Sequence, residues 1–382
     1  MTAAVAAGPL AGVKVLELGG IGPAPYASMM LAEMGADVAR IDRPDLVDTP
    51  LSFLDRGKRS AVIDLRQPDG VGAALALLER ADVLIEGFRP GVIERLGIGP
   101  DVCWARNPRL VIGRMTGWGQ NGPLSGQAGH DIDYIALTGA LGAIGRDGEP
   151  PAIPLCLVGD LGGGALFLVV GILAALHEAA SSGRGQVVDA AIVDGASALM
   201  APIYGMLNDG EWQDRRGVNV LDSGLPWYDV YATSDGEWLA VGALEDRFYQ
   251  VLVDLLGFSS QESDRREPAA WPALRLRFQS TFASATRAQW MALFDGTDAC
   301  VAPVLSMAEA PLHPHLAARR SFVNLDGKPV PAPAPRFSRT PSGRRSIAAS
   351  VGADTRSVLG SWGITDVEAL FRAGAAVQAK DS

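Results

Sequence analysis

Residues 13–42 have the sequence VKVLELGGIGPAPYASMMLAEMGADVARID, which contains a strand, a turn, a helix and a second strand in that order. Val13 to Leu18 is a short apolar run, typical of a strand that is buried on both faces. A turn rich in Gly and Pro follows, an amphipathic helix ends at Gly35, and Asp37 to Ile41 forms the second strand. This unit predicts a parallel sheet with helices on its faces.

The alternation of strands and helices continues beyond this unit. Apolar runs predict strands at Ala61 to Leu65, Asp82 to Ile85 and Val111 to Met115, with a helix near Val71 to Arg80. Such alternation is typical of an α/β domain, although an α+β chain remains the alternative. We therefore predict an α/β fold whose large domain contains a Rossmann-like parallel sheet.

After Tyr204 the pattern changes to alternating apolar and polar residues. The run WYDVYATSDGEWLAVGAL predicts two strands joined by a tight turn at Asp235 and Gly236. Helical segments follow, so we predict a smaller α+β domain. The predicted parts are a large domain (1–200), a linker (201–224), a small domain (225–320), and a proline-rich connector and tail that return to the large domain (321–382).

The composition of the 382 residues is globular, with 48% hydrophobic and 20% charged side chains. This composition excludes a disordered, collagen-like or coiled-coil chain. The formal net charge is −10 and the chain has no basic run. We therefore expect no nucleic-acid partner, because phosphate neutralisation needs clustered Lys and Arg. A local group of arginines could still bind a small phosphorylated ligand.

Three cysteines, Cys103, Cys156 and Cys300, lack CxxC spacing and have no nearby histidine. We therefore expect reduced thiols, no metal site and a cytoplasmic location. The N-terminal residues lack the pattern of a signal peptide. The apolar segment from Leu161 to Leu176 is too short for a membrane span, so we predict a buried core helix and no membrane partner.

The turns that follow the strands do not match nucleotide-binding fingerprints. In GGIGPAP, proline occupies the helix start where a dinucleotide site needs free N–H groups. The segment GDLGGG lacks the lysine of a P-loop. The chain contains no HExxH, GxSxG or kinase motif. Nothing in the sequence therefore indicates NAD, zinc or ATP chemistry.

Three titratable residues are candidates for chemistry. His130 follows a glycine in AGHDIDY, and Asp160 lies immediately before an apolar helix in VGDLGGG. His130 alone could be structural, and Asp160 could be an N-cap whose carboxylate accepts a helix N–H. Glu245, in VGALEDRFY just past the predicted hairpin, could be an ordinary surface glutamate.

Several longer stretches, spread over nearly the whole chain, match a known pattern. They are LELGGIGPAPYASMMLAEMGADVARIDRP, VLIEGFRPGVIERLG, RMTGWGQNGPLSGQAGHDIDYIALTGAL, LVGDLGGGALFLVVGILAAL, GRGQVVDAAIVDG, YDVYATSDGEWLAVGALEDRFY and PAPRFSRTP. The arrangement GQNGP…AGHDIDY…GDLGGG is highly specific. By these stretches the chain resembles the class III CoA-transferase superfamily, and specifically its α-methylacyl-CoA racemase branch.

The resemblance implies roles for the three candidates. Transferases of this superfamily use an Asp at the position of Asp160 as the nucleophile that accepts an acyl group. Racemases add a His at the position of His130, which transferases usually lack, so GHD favours a racemase. Racemases also carry a Glu at the position of Glu245. Asp246 stands where they commonly have Pro.

The expected reaction is epimerisation of a 2-methyl-branched acyl-CoA thioester at the α-carbon. His130 and Asp160 would transfer the proton through an enolate, with Glu245 orienting His130 and no cofactor apart from the CoA of the substrate. Backbone N–H groups near Gly162 to Gly164 could stabilise the enolate, although these glycines could also serve close helix packing. The alternatives are an acyl-CoA:carboxylate CoA-transferase with Asp160 as covalent nucleophile, and an inactive CoA-binding scaffold.

The resemblance also implies an interlocked homodimer and a set of CoA-facing residues in the large domain. The diphosphate and 3′-phosphate of CoA require guanidinium groups despite the acidic chain. The implied CoA-facing positions are Arg43, Ile63, Asp64, Leu65, Arg66, Gly87, Phe88, Arg89, Arg95, Gly129, Asp131, Ile132, Asp133 and Tyr134.

Overall fold

The computed structural model describes residues 8–260, 264–325, 327–343, 346–347 and 349–380. By their contacts these residues form two compact units. The first unit contains residues 8–139, residues 154–200 and the described part of 333–380. The second unit contains residues 140–153 and the described part of 201–332.

A mostly parallel sheet forms the centre of the first unit. The strands of all described residues, in chain order, are β1 Lys14–Leu18, β2 Asp37–Asp42, β3 Lys58–Ile63, β4 Val83–Glu86, β5 Val111–Thr116, β6 Val187–Ala191, β7 Tyr228–Ala232, β8 Trp238–Gly242, β9 Val301–Pro303, β10 Phe322–Leu325, β11 Lys328–Pro331 and β12 Ala376–Val377. Seven of them form the sheet of the first unit. The sheet has the order β12-β3-β2-β1-β4-β5-β6. The edge strand β12 runs antiparallel to β3, and the other pairs are parallel. The predicted α/β class is therefore confirmed.

Helices cover both faces of this sheet. The helices of the described residues, in chain order, are α1 Pro23–Glu33, α2 Pro68–Leu78, α3 Val92–Arg95, α4 Pro100–Arg106, α5 Asp131–Leu137, α6 Ala140–Ala143, a π-helix Leu157–Leu166, α7 Phe167–Ser182, α8 Ile192–Leu199, α9 Ala201–Asn208, α10 Asp246–Leu255, α11 Trp271–Phe282, α12 Arg287–Phe294, α13 Pro314–Ala318, α14 Thr355–Ser361 and α15 Val367–Arg372. Of these, α6 and α9 to α13 belong to the second unit. Val15 packs with α1 and α7, whereas Leu16 packs with α2 and α14. Neighbouring residues of a strand point to opposite faces, so β1 contributes to both cores.

β3 lies earlier in the chain than the sequence predicted. It begins at Lys58 instead of Ala61 and ends at Ile63 instead of Leu65. The strand begins with Lys58, which is buried with its Nζ 2.7 Å from Glu17 Oε2. A search for apolar runs does not include a charged residue, so the predicted strand began too late. The strand ends where the carboxylate of Asp64 accepts hydrogen bonds from the backbone and side chain of Arg66.

Residues 140–153 belong to the second unit, although the sequence placed them in the large domain. The side chain of Arg146 lies 2.7 Å from Asp229, and Asp147 lies 2.8 Å from Arg215. Residues 201–224, expected to be a linker, also belong to this unit. The contacts of these segments include ion pairs between positions far apart in the chain, which no local pattern reveals.

The long apolar segment is helical over Leu157–Ser182, beyond the predicted limits of Leu161 to Leu176. Among the described residues it is the one helix long and apolar enough to cross a membrane, a test that core helices of soluble proteins also pass. Leu168 and Ile172 are buried, but Leu157 and Val170 are 58% and 65% exposed. Within one chain the segment is therefore only partly a core helix.

The second unit contains a three-stranded sheet in the order β7-β8-β9. β7 and β8 are antiparallel and joined at the predicted turn, where Gly236 adopts a φ of 78°. One face of the sheet is covered by an aromatic core in which Tyr231 stacks on Phe282 of α11.

Candidate active site

An open cavity of about 380 Å³ lies at the carboxyl ends of the strands in the first unit. The strand order reverses between β1 and β4, and the turns that follow these two strands line the cavity. Ligands of open α/β sheets bind at such a reversal point. The lining includes Ile21, Gly22, Pro23, Ala24, Gly87, Phe88, Arg89, Met115, Gly117, Trp118, Gly129, His130, Tyr134, Asp160 and Ile192.

His130 is the N-cap of α5, and its side chain is exposed in this cavity. Its backbone N–H donates to the carboxylate of Asp133 at 2.9 Å, which fixes the start of the helix. The hydroxyl of Tyr134 donates to the carbonyl of Gly129, and the ring of Tyr134 meets Trp118 edge-to-face at 4.7 Å. These contacts hold the turn that carries His130.

Asp160 lies inside the π-helix, so the prediction that it comes before the helix is wrong. The N–H of Leu161 donates to the carbonyl of Cys156, five residues back, at 3.1 Å, which is the π-helical spacing. The backbone N–H of Asp160 donates to Oδ1 of Asp131 at 2.7 Å. The Asp160 carboxylate therefore does not cap the helix and is available to the cavity.

The glycines after Asp160 allow close packing, one of the two roles that the sequence left open. A Cβ at Gly163 would lie 2.5 Å from the backbone nitrogen of Ala196 on α8, and one at Gly164 would lie 3.1 Å from Ile192. Their positions inside the π-helix direct their N–H groups along the helix. The donors for an enolate must therefore be sought elsewhere in the cavity.

Burial raises the pKa of the Asp160 carboxyl, and the nearby Asp131 raises it further, while His130 lowers it. Burial also raises the pKa of Tyr134, with smaller contributions from the charges of Asp160 and Asp133. The site therefore favours a carboxyl that can hold a proton beside an imidazole. Two such groups can take up and deliver protons in turn.

A family model described as CoA-transferase family III matches residues 10–355. The chain belongs to this family. α-Methylacyl-CoA racemase of Mus musculus is 46% identical over 94% of this chain and 95% of that protein. The protein of the same name from Homo sapiens is 44% identical over 87% of each chain. The crystal structure of a CaiB/BaiF family protein from Brucella suis matches with a TM-score of 0.80 and 25% identity, over 93% of this chain and 100% of that chain.

In this member of CoA-transferase family III, the segment Gly87 to Arg89 lines the cavity. The carboxylate of Glu86 accepts the N–H of Phe88 at 2.7 Å and is held by Arg114 at 2.8 Å. This buried pair fixes the turn that presents Arg89. The exposed guanidinium of Arg89 is available for an anion.

The other arginines implied by the family resemblance are exposed but do not line this cavity. Arg43 follows β2 and lies 3.2 Å from Asp45, and Arg66 follows β3 and lies 2.8 Å from Asp64. Arg95 ends α3. Because β2 and β3 continue the parallel sheet beyond β1, Arg43 and Arg66 follow the same carboxyl edge as the cavity.

The side chains of Ile63 and Asp64, which the family resemblance places among the CoA-facing positions, are buried. Ile63 is 1% exposed in the core. The hydrogen bond from Arg66 holds the pKa of Asp64 at about 2. Leu65 packs against the same core as Ile63. Within the segment from Ile63 to Arg66, only Arg66 presents an exposed charge.

The implied CoA-facing residues at the start of α5 also lie in different surroundings. Gly129 and Tyr134 line the cavity, Ile132 and Asp133 are exposed at the first turn, and Asp131 is half-buried beside Asp160. Asp131 is therefore placed towards the catalytic candidates.

Glu245 belongs to the second unit, where it is the exposed N-cap of α10. Its carbonyl accepts the N–H groups of Phe248 and Tyr249 at 3.1 and 2.9 Å. Asp246 occupies the first helical position. Pro and Asp are both favourable there, since Pro has no N–H to leave unpaired and Asp complements the helix dipole. Although Asp246 replaces the Pro that is common in racemases, α10 still begins at this position.

Sequence reasoning missed part of the lining. Gly22 and Pro23 follow β1, and a Cβ at Gly22 would lie 3.2 Å from Oδ2 of Asp160. Trp118 follows β5 and packs on Tyr134. The signal for Gly22 was its position after the first strand of a doubly wound sheet. Within the described ranges, no group of three His, Cys, Asp or Glu side chains could hold a metal ion.

Proposed function

We propose that this protein is a racemase that epimerises 2-methyl-branched acyl-CoA thioesters at the α-carbon. The observation that carries the proposal is that His130 and Asp160 line one cavity, close enough for His130 to lower the pKa of Asp160. The relatives named α-methylacyl-CoA racemase, at 44–46% identity over most of the chain, support the same activity.

In the proposed mechanism His130 and Asp160 act on opposite faces of the α-carbon. One removes the α-proton as a base while the thioester carbonyl takes up the negative charge as an enolate, and the other delivers a proton. The raised pKa of Asp160 brings it nearer to that of an imidazole, which suits transfer in both directions. The apparent pKa values in a rate profile then belong to the pair. The reaction needs no cofactor apart from the CoA of the substrate.

Arg89 is the proposed main contact for the CoA phosphates, because it is exposed at the cavity. Arg43, Arg66 and Arg95 are proposed to hold the more distant phosphates. A guanidinium binds a phosphate through two parallel hydrogen bonds, which fixes the orientation of the ligand.

Exchange in D2O tests the reaction. A single epimer of a 2-methylacyl-CoA, incubated with the enzyme and no acceptor acid, should give both epimers and gain deuterium at the α-carbon. Mass spectrometry and chiral chromatography measure both results. If the α-carbon stays protonated while CoA moves to an added carboxylate, the protein is instead a CoA-transferase that uses Asp160 as a nucleophile.

We also propose that the protein is an interlocked homodimer. The exposed apolar side chains of the π-helix and α7 support this, since Leu157, Leu166, Phe167 and Val170 are 39% to 65% exposed. An apolar helix face of this kind needs cover, and a second copy of the chain is the proposed occupant. Sedimentation should give twice the chain mass, and a monomer would overturn the proposal.

In this dimer Glu245 of one subunit is proposed to orient His130 of the other. Asp160→Ala chains and Glu245→Ala chains, unfolded and refolded together, test the arrangement. Each mixed dimer would hold one intact site, so about a quarter of the wild-type activity should return. A mixture of His130→Ala and Asp160→Ala chains is the matched control. It should stay inactive, because these two residues share a unit.

The cytoplasmic location expected from the cysteine pattern stays a proposal. Fractionation of the source cells with an antibody to the chain would check it.

A further inference from the structure

Asp131 connects the two segments that carry the catalytic candidates. It directly follows His130 as the first residue of α5. Its Oδ1 accepts the backbone N–H of Asp160 at 2.7 Å, across 29 positions of sequence. A Cβ at residue 159 would lie 2.3 Å from this oxygen, so the contact requires the glycine present there. Asp131 Oδ2 is buried and has no hydrogen-bond partner among the described residues.

We propose that Asp131 is a positioning residue that ties Asp160 to the His130 turn and keeps a negative charge beside the Asp160 carboxyl. The inference rests on the proposed racemase function and deepens it. It also gives Asp131 a role other than the contact with CoA that the family resemblance implies.

The positioning part follows from the backbone of the π-helix. The N–H of Asp160 lies in the first turn, where no helical carbonyl is available to accept it. A buried N–H without an acceptor is unfavourable. Asp131 supplies the acceptor and so fixes the backbone from which the Asp160 carboxylate projects.

The electrostatic part follows from the unpaired oxygen. Buried carboxylates normally accept hydrogen bonds at both oxygens or pair with a cation. None of the described Lys and Arg side chains forms an ion pair with Asp131, so its charge acts on Asp160. Burial is the largest cause of the raised pKa of Asp160, and the neighbouring carboxylate of Asp131 adds to it because a like charge disfavours ionisation.

Other charges around Asp160 are few. His130, Tyr134 and Arg89 line the same cavity, and His130 opposes the effect of Asp131. The turn Gly22 to Ala24 carries no charge. The titratable groups on the other elements packed against the π-helix do not line the cavity: Tyr26 and Glu33 on α1, Arg114 on β5, Asp189 on β6, His177 and Glu178 on α7, and Asp194 on α8.

Two substitutions in the full-length chain separate the two parts of the proposal. Asp131→Asn keeps an oxygen that can accept the Asp160 N–H but removes the charge. We expect it to retain most of kcat and to move the acid limb of kcat/KM to lower pH, because Asp160 then ionises more easily. Both epimers are assayed, since Asp160 is the base toward one of them.

Asp131→Ala removes both the acceptor and the charge. We expect kcat to fall about 100-fold, the effect of misplacing a catalytic group by about 1 Å, with KM unchanged. Asp194→Asn is the matched control, because it removes one charge from α8 at a neighbouring cavity. Its pH profile should match that of the wild type.

Three results would overturn the proposal. They are an acid limb in Asp131→Asn that coincides with the wild type, a kcat in Asp131→Ala equal to the wild type, and a rise in KM alone, which would make Asp131 a CoA contact. If Asp131→Ala does not fold, Asp131→Asn decides. If the wild type does not racemise, the proposed function fails separately. The pKa of Asp160, measured by NMR on 13C-aspartate-labelled wild type and Asp131→Asn, then tests the inference, and equal values would reject it.

Discussion

Two groups of buried or half-buried charges in the first unit differ in how their acids are paired. The first group, which we call the strand network, consists of Glu17, Arg40, Asp42, Asp55 and Lys58. In it each carboxylate has a cation within 2.8 Å. In the second group, Asp131 and Asp160 lie beside each other, and none of the described Lys or Arg residues forms an ion pair with either.

This difference in pairing suggests that the strand network stabilises the fold, whereas Asp131 and Asp160 serve the reaction. In the strand network Lys58 also donates to the carbonyl of Pro25 at 3.0 Å, and Ser28 donates to Glu17 at 2.6 Å, so the paired charges anchor α1. A cation beside a carboxylate favours its ionised form. A carboxyl beside another carboxylate holds its proton more strongly, which suits proton transfer.

The largest effect should come from breaking the strand network. Lys58→Met leaves the charge of Glu17 buried without a cation, and such a loss destabilises a protein by about 3–5 kcal/mol. Urea unfolding followed by circular dichroism measures it. Adding Glu17→Gln to the same chain should recover part of the loss. The control Arg106→Met breaks an exposed pair with Glu79 and should change the free energy of unfolding by at most about 1 kcal/mol. Equal losses in the two single variants would show that burial of the pair is unimportant.

The second group should affect turnover more than stability. His130→Ala and Asp160→Ala should each lower kcat by at least about 100-fold, the low end of general-base contributions. CoA ester binding should survive in both. His177→Ala, which replaces an exposed histidine on α7, is the control and should keep wild-type kcat. Near wild-type turnover in either cavity variant would contradict the two-base assignment.

A smaller effect is expected from the charge at the cavity. Arg89→Ala should weaken binding of CoA esters about tenfold, the low end of the value of a charged hydrogen bond. The difference from wild type should shrink as salt is added. Isothermal titration calorimetry at two salt concentrations measures both. Arg106→Ala, an exposed arginine away from the cavity, is the control. An unchanged affinity would make Arg89 an ordinary surface charge.

The smallest effects should appear in the pH dependence of stability. Burial alone would raise the pKa of Asp55, but Lys58 and Arg40 outweigh it and lower the pKa. Asp55 therefore stabilises the fold above the unfolded value of about 3.8, and this contribution is lost as the pH falls through its folded pKa. The pKa of Asp160 is raised in the folded state, so this carboxyl opposes folding once the pH rises above the unfolded value of about 3.8.

Asp55→Asn should therefore lose stability at pH 7, whereas Asp160→Asn should gain a little. The gain in Asp160→Asn should vanish below about pH 3.8, where the unfolded carboxyl is also protonated. Thermal unfolding from pH 3 to pH 7 compares the variants. Stability changes of the same sign in both variants would remove the distinction between the two groups of charges.

The family was recognisable from local stretches, and several of these stretches line the candidate cavity. GGIGPAP, EGFR and GHD mark turns whose glycines and prolines are required by local backbone geometry. GGIGPAP and EGFR directly follow strands, whereas GHD lies beyond a longer segment after β5. In the folded sheet, the reversal of strand order brings residues of these segments to one cavity.

The amino-acid sequence by itself determined the alternation of strands and helices, because strand burial requires apolar runs and turns require Gly and Pro. Through the family resemblance it also indicated His130 and Asp160 as the candidate bases. Only the tertiary structure decided that β3 begins at Lys58, that residues 140–153 belong to the second unit, and that Asp160 lies in a π-helix held by Asp131. Each of these regions contains a charged side chain whose partner is distant in the chain, and no local pattern of residues encodes such a pairing.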